Sequence, residues 1–184
     1  GHTFCCDEAL ERPSKKDMIK MILENEWNKE RWDDGGYKDY TEEELMYCVN
    51  GAYDDKFEQK EIVPVKEAAG AYFLELYHGK TAAFKDMALS ILPYLMTTAL
   101  KKEGVKDKIC ILTATSGDTG KAALEGFADV DGTEIIVFYP SQGVSDIQKR
   151  QMITQMGKNV KVFGIEGNFD DAQRGVKEIF GNAE

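Results

Sequence analysis

Metal-type cysteine spacing is missing from this chain. Its four cysteines are Cys5, Cys6, Cys48 and Cys110, with no C-x-x-C pair among them. That spacing argues against a zinc site and against a disulfide framework, and leaves reduced thiols as the simplest state. Positive charge is also scarce: 23 Lys and Arg stand against 33 Asp and Glu, for a net charge of −10. A nucleic-acid partner is not expected, because phosphate contacts need clustered cations. The acidity is spread along the chain and reads as solvated surface. No apolar run reaches the roughly 18 residues of a membrane span, and the start lacks the basic-then-apolar pattern of a secretory signal. The expectation is a soluble, cytoplasmic protein without a metal.

Two phosphate-binding patterns are absent as well. Gly117 and Gly120 are followed by Lys121 and Ala122, which fails the P-loop spacing, and no G-x-G-x-x-G occurs. There is no internal repeat and no low-complexity stretch.

What remains is enough for a core. The chain has 184 residues, 42% hydrophobic and 10% aromatic, which suits one compact domain with a small appendage. Residues 1–58 read as a polar, helical segment. "SKKDMIKMILENEW" has Met18, Ile19, Ile22 and Leu23 at helical spacing after Ser14. "DDGGYKD" breaks it, and "TEEELMYCVNGAY" restarts it with a Thr41–Glu44 capping box.

From about residue 60 the rhythm becomes β then α. The strand-like runs are "YFLELY" (72–77), "KICILTA" (108–114), "EIIVFY" (134–139) and "NVKVFGI" (159–165). Helices are predicted near 82–103, 119–128, 145–156 and 169–180, with Ser145–Gln148 forming a capping box and Asn168 capping the last helix. Strict alternation predicts an α/β fold of three layers: a mainly parallel sheet of about four strands with helices on both faces, after a small helical N-terminal segment. Sites in such sheets collect at the carboxyl ends of the strands.

Three loops lie there: "HGKTAAFKD", "TATSGDTGK" and "PSQGVSD". In "TATSGDTGK", Gly117 and Gly120 permit tight turning and close approach of a ligand. Ser116 and Thr119 bring hydroxyls beside the amides of a helix N-terminus, which suits a carboxylate or phosphate. The same residues fit a plain capped turn, with Ser116 as cap and Asp118 complementing the helix dipole. In "HGKTAAFKD", Lys85 fits either a solvated charge or a desolvated amine suited to Schiff-base chemistry; its neighbours Ala82, Ala83, Phe84, Met87, Ala88 and Leu89 make a poor solvated face. His78, Tyr77 and Tyr139 read as packing or hydrogen-bonding residues, Lys149 and Arg150 as solvent-facing, and Asp170 and Asp171 as dipole complementation.

Four stretches in order, "LELYHGKTAAFKDMAL", "ILTATSGDTGKAALEGF", "VFYPSQGVSDIQKRQM" and "IEGNFDDAQRGVKEIF", resemble the threonine synthase family. These are pyridoxal-phosphate lyases of the tryptophan synthase β-subunit fold type. The resemblance runs from about Thr41 to Glu184. It implies that Lys85 carries the cofactor, that Asp118 also faces it, and that Ser116, Gly117, Asp118, Thr119 and Gly120 cradle the substrate α-carboxylate. The implied reaction converts O-phospho-L-homoserine and water into L-threonine and phosphate, in threonine biosynthesis. It further implies that residues 59–184 are the smaller, lysine-bearing domain and that a larger second domain lies outside this chain. Alternatives are a cysteine synthase or threonine dehydratase of the same fold type, or a non-catalytic threonine-synthase-like binding protein. Asp118 and the F-x-D-x-Q pattern of Phe169, Asp171 and Gln173 favour threonine synthase. Lys80 stands where the family usually has proline, and Ser141 where it often has a basic residue.

Overall fold

A computed structural model describes residues 40–53 and 56–182. The helix expected after Ser14, the 33–39 turn, Cys5 and Cys6 lie outside the described residues. In chain order the elements are α1 (Glu42–Tyr53), β1 (Val65–Ala68), β2 (Ala71–Leu74), α2 (Asp86–Lys102), β3 (Ile109–Ala114), α3 (Asp118–Phe127), β4 (Thr133–Pro140), α4 (Asp146–Ile153), β5 (Val160–Ile165) and α5 (Phe169–Gly181). No helix among the described residues is long and apolar enough to cross a membrane.

The sheet has three parallel strands in the order β3-β4-β5. Central β4 alternates as a covered strand should. Thr133, Ile135, Val137 and Tyr139 are buried, and the three larger ones pack with Ala123, Leu124 and Phe127 of α3 and Met152 of α4. On the opposite face Phe138 lines one apolar cavity with Ala172, Val176 and Ile179 of α5. Helices on both faces of a parallel sheet are the three layers expected from the alternation.

The 72–77 run departs from the expected sheet. Its first three residues belong to β2, which pairs antiparallel with β1, Val65 opposite Leu74. Ala69 and Gly70 join the strands with φ of 51° and 73°, the two positive values of a tight hairpin turn. Every residue of both strands is exposed. An apolar run suggests a buried strand, but a two-residue turn directs it to its immediate neighbour instead. Tyr77 therefore does not end a strand of the parallel sheet; it is 54% exposed and packs on the ring of His78 at 4.6 Å.

Helix starts follow their caps. Thr41 Oγ1 accepts from Glu44 N–H at 3.2 Å and Glu44 accepts from Thr41 N–H at 2.7 Å; Asn168 and Asp171 form the same reciprocal pair. Asp171 is thus a capping residue as well as a dipole complement. At α4 only half the box forms, because the Gln148 side chain does not turn back to the Ser145 backbone.

Helix α1 lies on α2. Leu45 and Val49 meet Ile91 and Leu95, Tyr40 donates to Leu95 O at 2.9 Å, and Tyr53 donates to Met87 O at 2.6 Å. Cys48 is buried and Cys110 exposed, and both are free thiols.

Candidate active site

The loop after β3 is organised by Thr115, a residue the sequence did not single out. Its Oγ1 accepts from the N–H groups of Gly117 at 3.0 Å and Gly120 at 2.9 Å, and donates to Gly117 O at 3.3 Å. Thr115 is buried, and a Cβ on Gly120 would run into its side chain. Gly117 is the N-cap residue, with φ 156°, and a Cβ there would sit 2.5 Å from Gln148 Cδ. Close approach does require both glycines, as expected, though the groups approaching are the protein's own side chains. Ser116 is exposed and makes no side-chain cap. Helix α3 starts at Asp118. Helix geometry leaves the N–H groups of Asp118 and Thr119 without an intrahelical acceptor.

Lys85 enters from the other side, at the N-cap position of α2. It is half-buried, with Nζ 4.9 Å from the Phe84 ring centre. The apolar neighbours predicted a drier setting. Instead, Phe84 is 58% exposed and Ala88 is exposed, because the chain before α2 is a series of turns and not a helix from residue 82. Those turns are clamped by buried Asp86, which accepts from Thr81 N–H at 2.9 Å and Thr81 Oγ1–H at 2.5 Å. Gly79 is needed beside this clamp, since a Cβ would overlap the Asp86 carboxylate.

Lys80 ties the same loop to α3 through Glu125 at 3.1 Å. Where a proline would fix the backbone by its ring, this chain has an ion pair. Lys121 lies 3.9 Å from Glu125 and donates to Gln155. Burial lowers the Lys121 ammonium from its ordinary range, opposed by the charges of Glu125 and Asp86.

These parts meet in one pocket of about 420 Å³ at the carboxyl end of β3. It is lined by Phe84, Lys85, residues 114–116, Asp118, Thr119, Gln148 and Phe169. The structure thus brings Lys85 together with Ser116, Asp118 and Thr119, while Gly117 and Gly120 shape the turn beneath. Gln148 and Phe169 were not predicted as site residues; Gln148 was legible only as a cap. Ser141 is not among the lining residues, and its N–H donates to Ile165 O at 2.9 Å. His78 is buried, with Nε2 2.8 Å from Glu75, in keeping with a hydrogen-bonding role. Arg150 is exposed, Lys149 half-buried and Tyr139 in the core.

A primary amine facing a helix N-terminus across a small pocket suits a carbonyl compound that also carries an anionic group. Comparisons with known proteins bear on that chemistry. Threonine synthase of Pseudomonas aeruginosa is 44% identical over 125 residues, covering 67% of this chain and 26% of that protein. Threonine synthase of Saccharomyces cerevisiae is 32% identical over 192 residues, covering 94% and 37%. The solved structure of pyridoxal-phosphate-bound threonine synthase from Brucella melitensis matches with TM-score 0.73 and 33% identity, over 92% of this chain and 34% of that one. Human threonine synthase-like 1 is 36% identical over 146 residues, covering 76% and 19%. The chain therefore spans about a quarter to a third of the threonine synthases it matches. A family model described as "Pyridoxal-phosphate dependent enzyme" matches residues 62–183, taking in Lys85, the Thr115–Gly120 turn and every strand of the parallel sheet, and by that match the chain belongs to this enzyme family.

Proposed function

We propose that this chain is the lysine-bearing part of a threonine synthase, a pyridoxal-phosphate lyase that converts O-phospho-L-homoserine and water into L-threonine and phosphate. The observation carrying the reading is one pocket shared by Lys85 and the 116–119 turn. The residues present fit the cofactor: Lys85 offers the amine an aldehyde needs, and Asp118 offers a carboxylate lining the same pocket. The bound cofactor supplies an electron sink for charge developing at the substrate Cα.

The chain's own groups divide the remaining work. The turn of residues 116–120 receives the substrate α-carboxylate at the positive end of α3. The Lys85 amine takes protons from Cα and Cβ and returns one to Cα at the end. The C–O bond at Cγ breaks as phosphate leaves, Cγ gains a proton in place of the one Cβ gave up, and water adds its hydroxyl at Cβ while its other proton goes to the phosphate. In this reading residues 59–184 are the smaller domain, with the cofactor phosphate and ring nitrogen held by residues outside this chain. A cytoplasmic setting goes with this reading, and the isolated 184-residue chain is expected to turn over nothing.

The test uses the full-length protein with pyridoxal phosphate. The visible absorption of lysine-bound cofactor should disappear in Lys85→Ala, and phosphate should be released from phosphohomoserine in preference to reaction with serine derivatives. Cofactor binding without phosphate release would instead favour the threonine-synthase-like binding protein, the reading that the human relative keeps open.

A further inference from the structure

Among the residues lining the pocket, Gln148 alone comes from α4, the helix that follows β4. Its backbone N–H donates to Ser145 Oγ at 3.3 Å, and the serine hydroxyl donates to Gln148 Oε1 at 2.9 Å. Its Nε2 donates to Asp118 Oδ1 at 2.7 Å, across 30 residues of sequence. An ionised carboxylate has no hydrogen to give, so only the amide nitrogen can face Asp118. That leaves the amide oxygen for the serine and fixes both ends of the side chain. The amide also lies over Gly117, where a Cβ would be 2.5 Å from Cδ and from Nε2. Gln148 thus grips the turn twice, by the carboxylate of its first helical residue and by the backbone of its N-cap glycine.

We infer that Gln148 is a positioning residue that holds Asp118 and the Gly117 backbone so that the 116–120 amides stay aimed at an incoming carboxylate. This rests on the reading above of that turn as the carboxylate site. The bond to Asp118 is at an exposed position, where a single hydrogen bond adds little to global stability; its effect is local ordering of the turn. Lys85 and Asp118 are the charged side chains lining the pocket, and Asp146 stands in the first turn of the helix that carries Gln148.

The test compares Gln148→Ala and Gln148→Glu in the full-length protein, first without cofactor. In Gln148→Ala, amide hydrogen exchange over residues 115–121 should quicken about tenfold, the factor expected when one hydrogen bond to a charged acceptor is lost. In Gln148→Glu, exchange should be as fast at pH 7.5, where the introduced carboxylate has no hydrogen to give Asp118, and return toward the parent rate at about pH 4, where the introduced carboxyl gains a proton it can donate. With cofactor and phosphohomoserine, KM should rise more than kcat falls. Unchanged exchange in Gln148→Ala, or a Gln148→Glu protein that differs from the parent equally at both pH values, overturns the inference. If Gln148→Ala lowers overall stability, the recovery of Gln148→Glu at low pH still decides. If exchange responds as stated but no threonine forms, the activity reading falls and the positioning role stands.

Discussion

The carbonyl oxygen of Leu89 lies where a Cβ on Gly126 would be. Helix α2 therefore touches α3 backbone to backbone. Pro93, four residues after Leu89 and buried inside α2, has no N–H to give that carbonyl. A glycine Cα–H on the neighbouring helix meets it instead. This contact sets how closely the lysine-bearing helix approaches the helix of the carboxylate turn.

Gly126→Ala should force the two helices apart, and overpacking of this kind costs about 2 kcal/mol. Denaturant unfolding measures it. A loss below about 0.5 kcal/mol, the range of ordinary surface substitutions, would mean that the helices do not meet there.

Thr115→Val keeps the shape of the side chain and removes the acceptor shared by Gly117 and Gly120. Leaving those buried donors unpaired should cost about 2 kcal/mol. Thr115→Ser keeps the hydroxyl and should lose roughly 1 kcal/mol, the value of one buried methyl. A larger loss in Thr115→Ser than in Thr115→Val would show that the methyl, and not the hydroxyl, shapes the turn.

Asp86→Ala removes both acceptors of the Thr81 clamp. A cost of about 2–3 kcal/mol is expected for a buried site of this kind. The loop before Lys85 should loosen with it, so cofactor loading of the full-length protein should weaken while Lys85 is intact. Thermal unfolding and a cofactor titration check the two effects separately.

Acid should remove one stabilising contribution at Glu125. Burial pushes its carboxyl up, but hydrogen bonds from Lys80 and Gln155 and the charges of Lys80 and Lys121 outweigh burial and hold it below its ordinary 4.5. A depressed carboxyl stabilises the fold above its unfolded value and loses that effect as pH falls through the folded one. Glu125→Gln should therefore cost up to about 1 kcal/mol at pH 7, and progressively less as the pH falls below the ordinary 4.5. Thermal midpoints of both proteins across that range give the comparison, and a gap that widens toward acid would contradict the ion-pair account of Lys80.

Features that depend on near neighbours along the chain could be read from the residues alone. Capping residues at Thr41, Ser145 and Asn168 fixed helix starts, and the alternation of runs from residue 108 fixed three parallel strands with helices between them. Local pattern drew attention to Lys85 and the 116–120 turn at the strand ends, but it fitted a solvated charge and a plain capped turn as well, and only the family resemblance chose between the readings. Tertiary structure alone decided the rest. The 72–77 run has the composition of a buried strand, yet Ala69 and Gly70 turned it into an exposed hairpin. Lys85 has apolar neighbours in sequence but an open pocket in space. The bond from Gln148 to Asp118 joins the starts of two different helices. Periodicity records which side of an element is covered; it does not record which loop another helix brings alongside, and that relation is set by how α2, α3 and α4 pack.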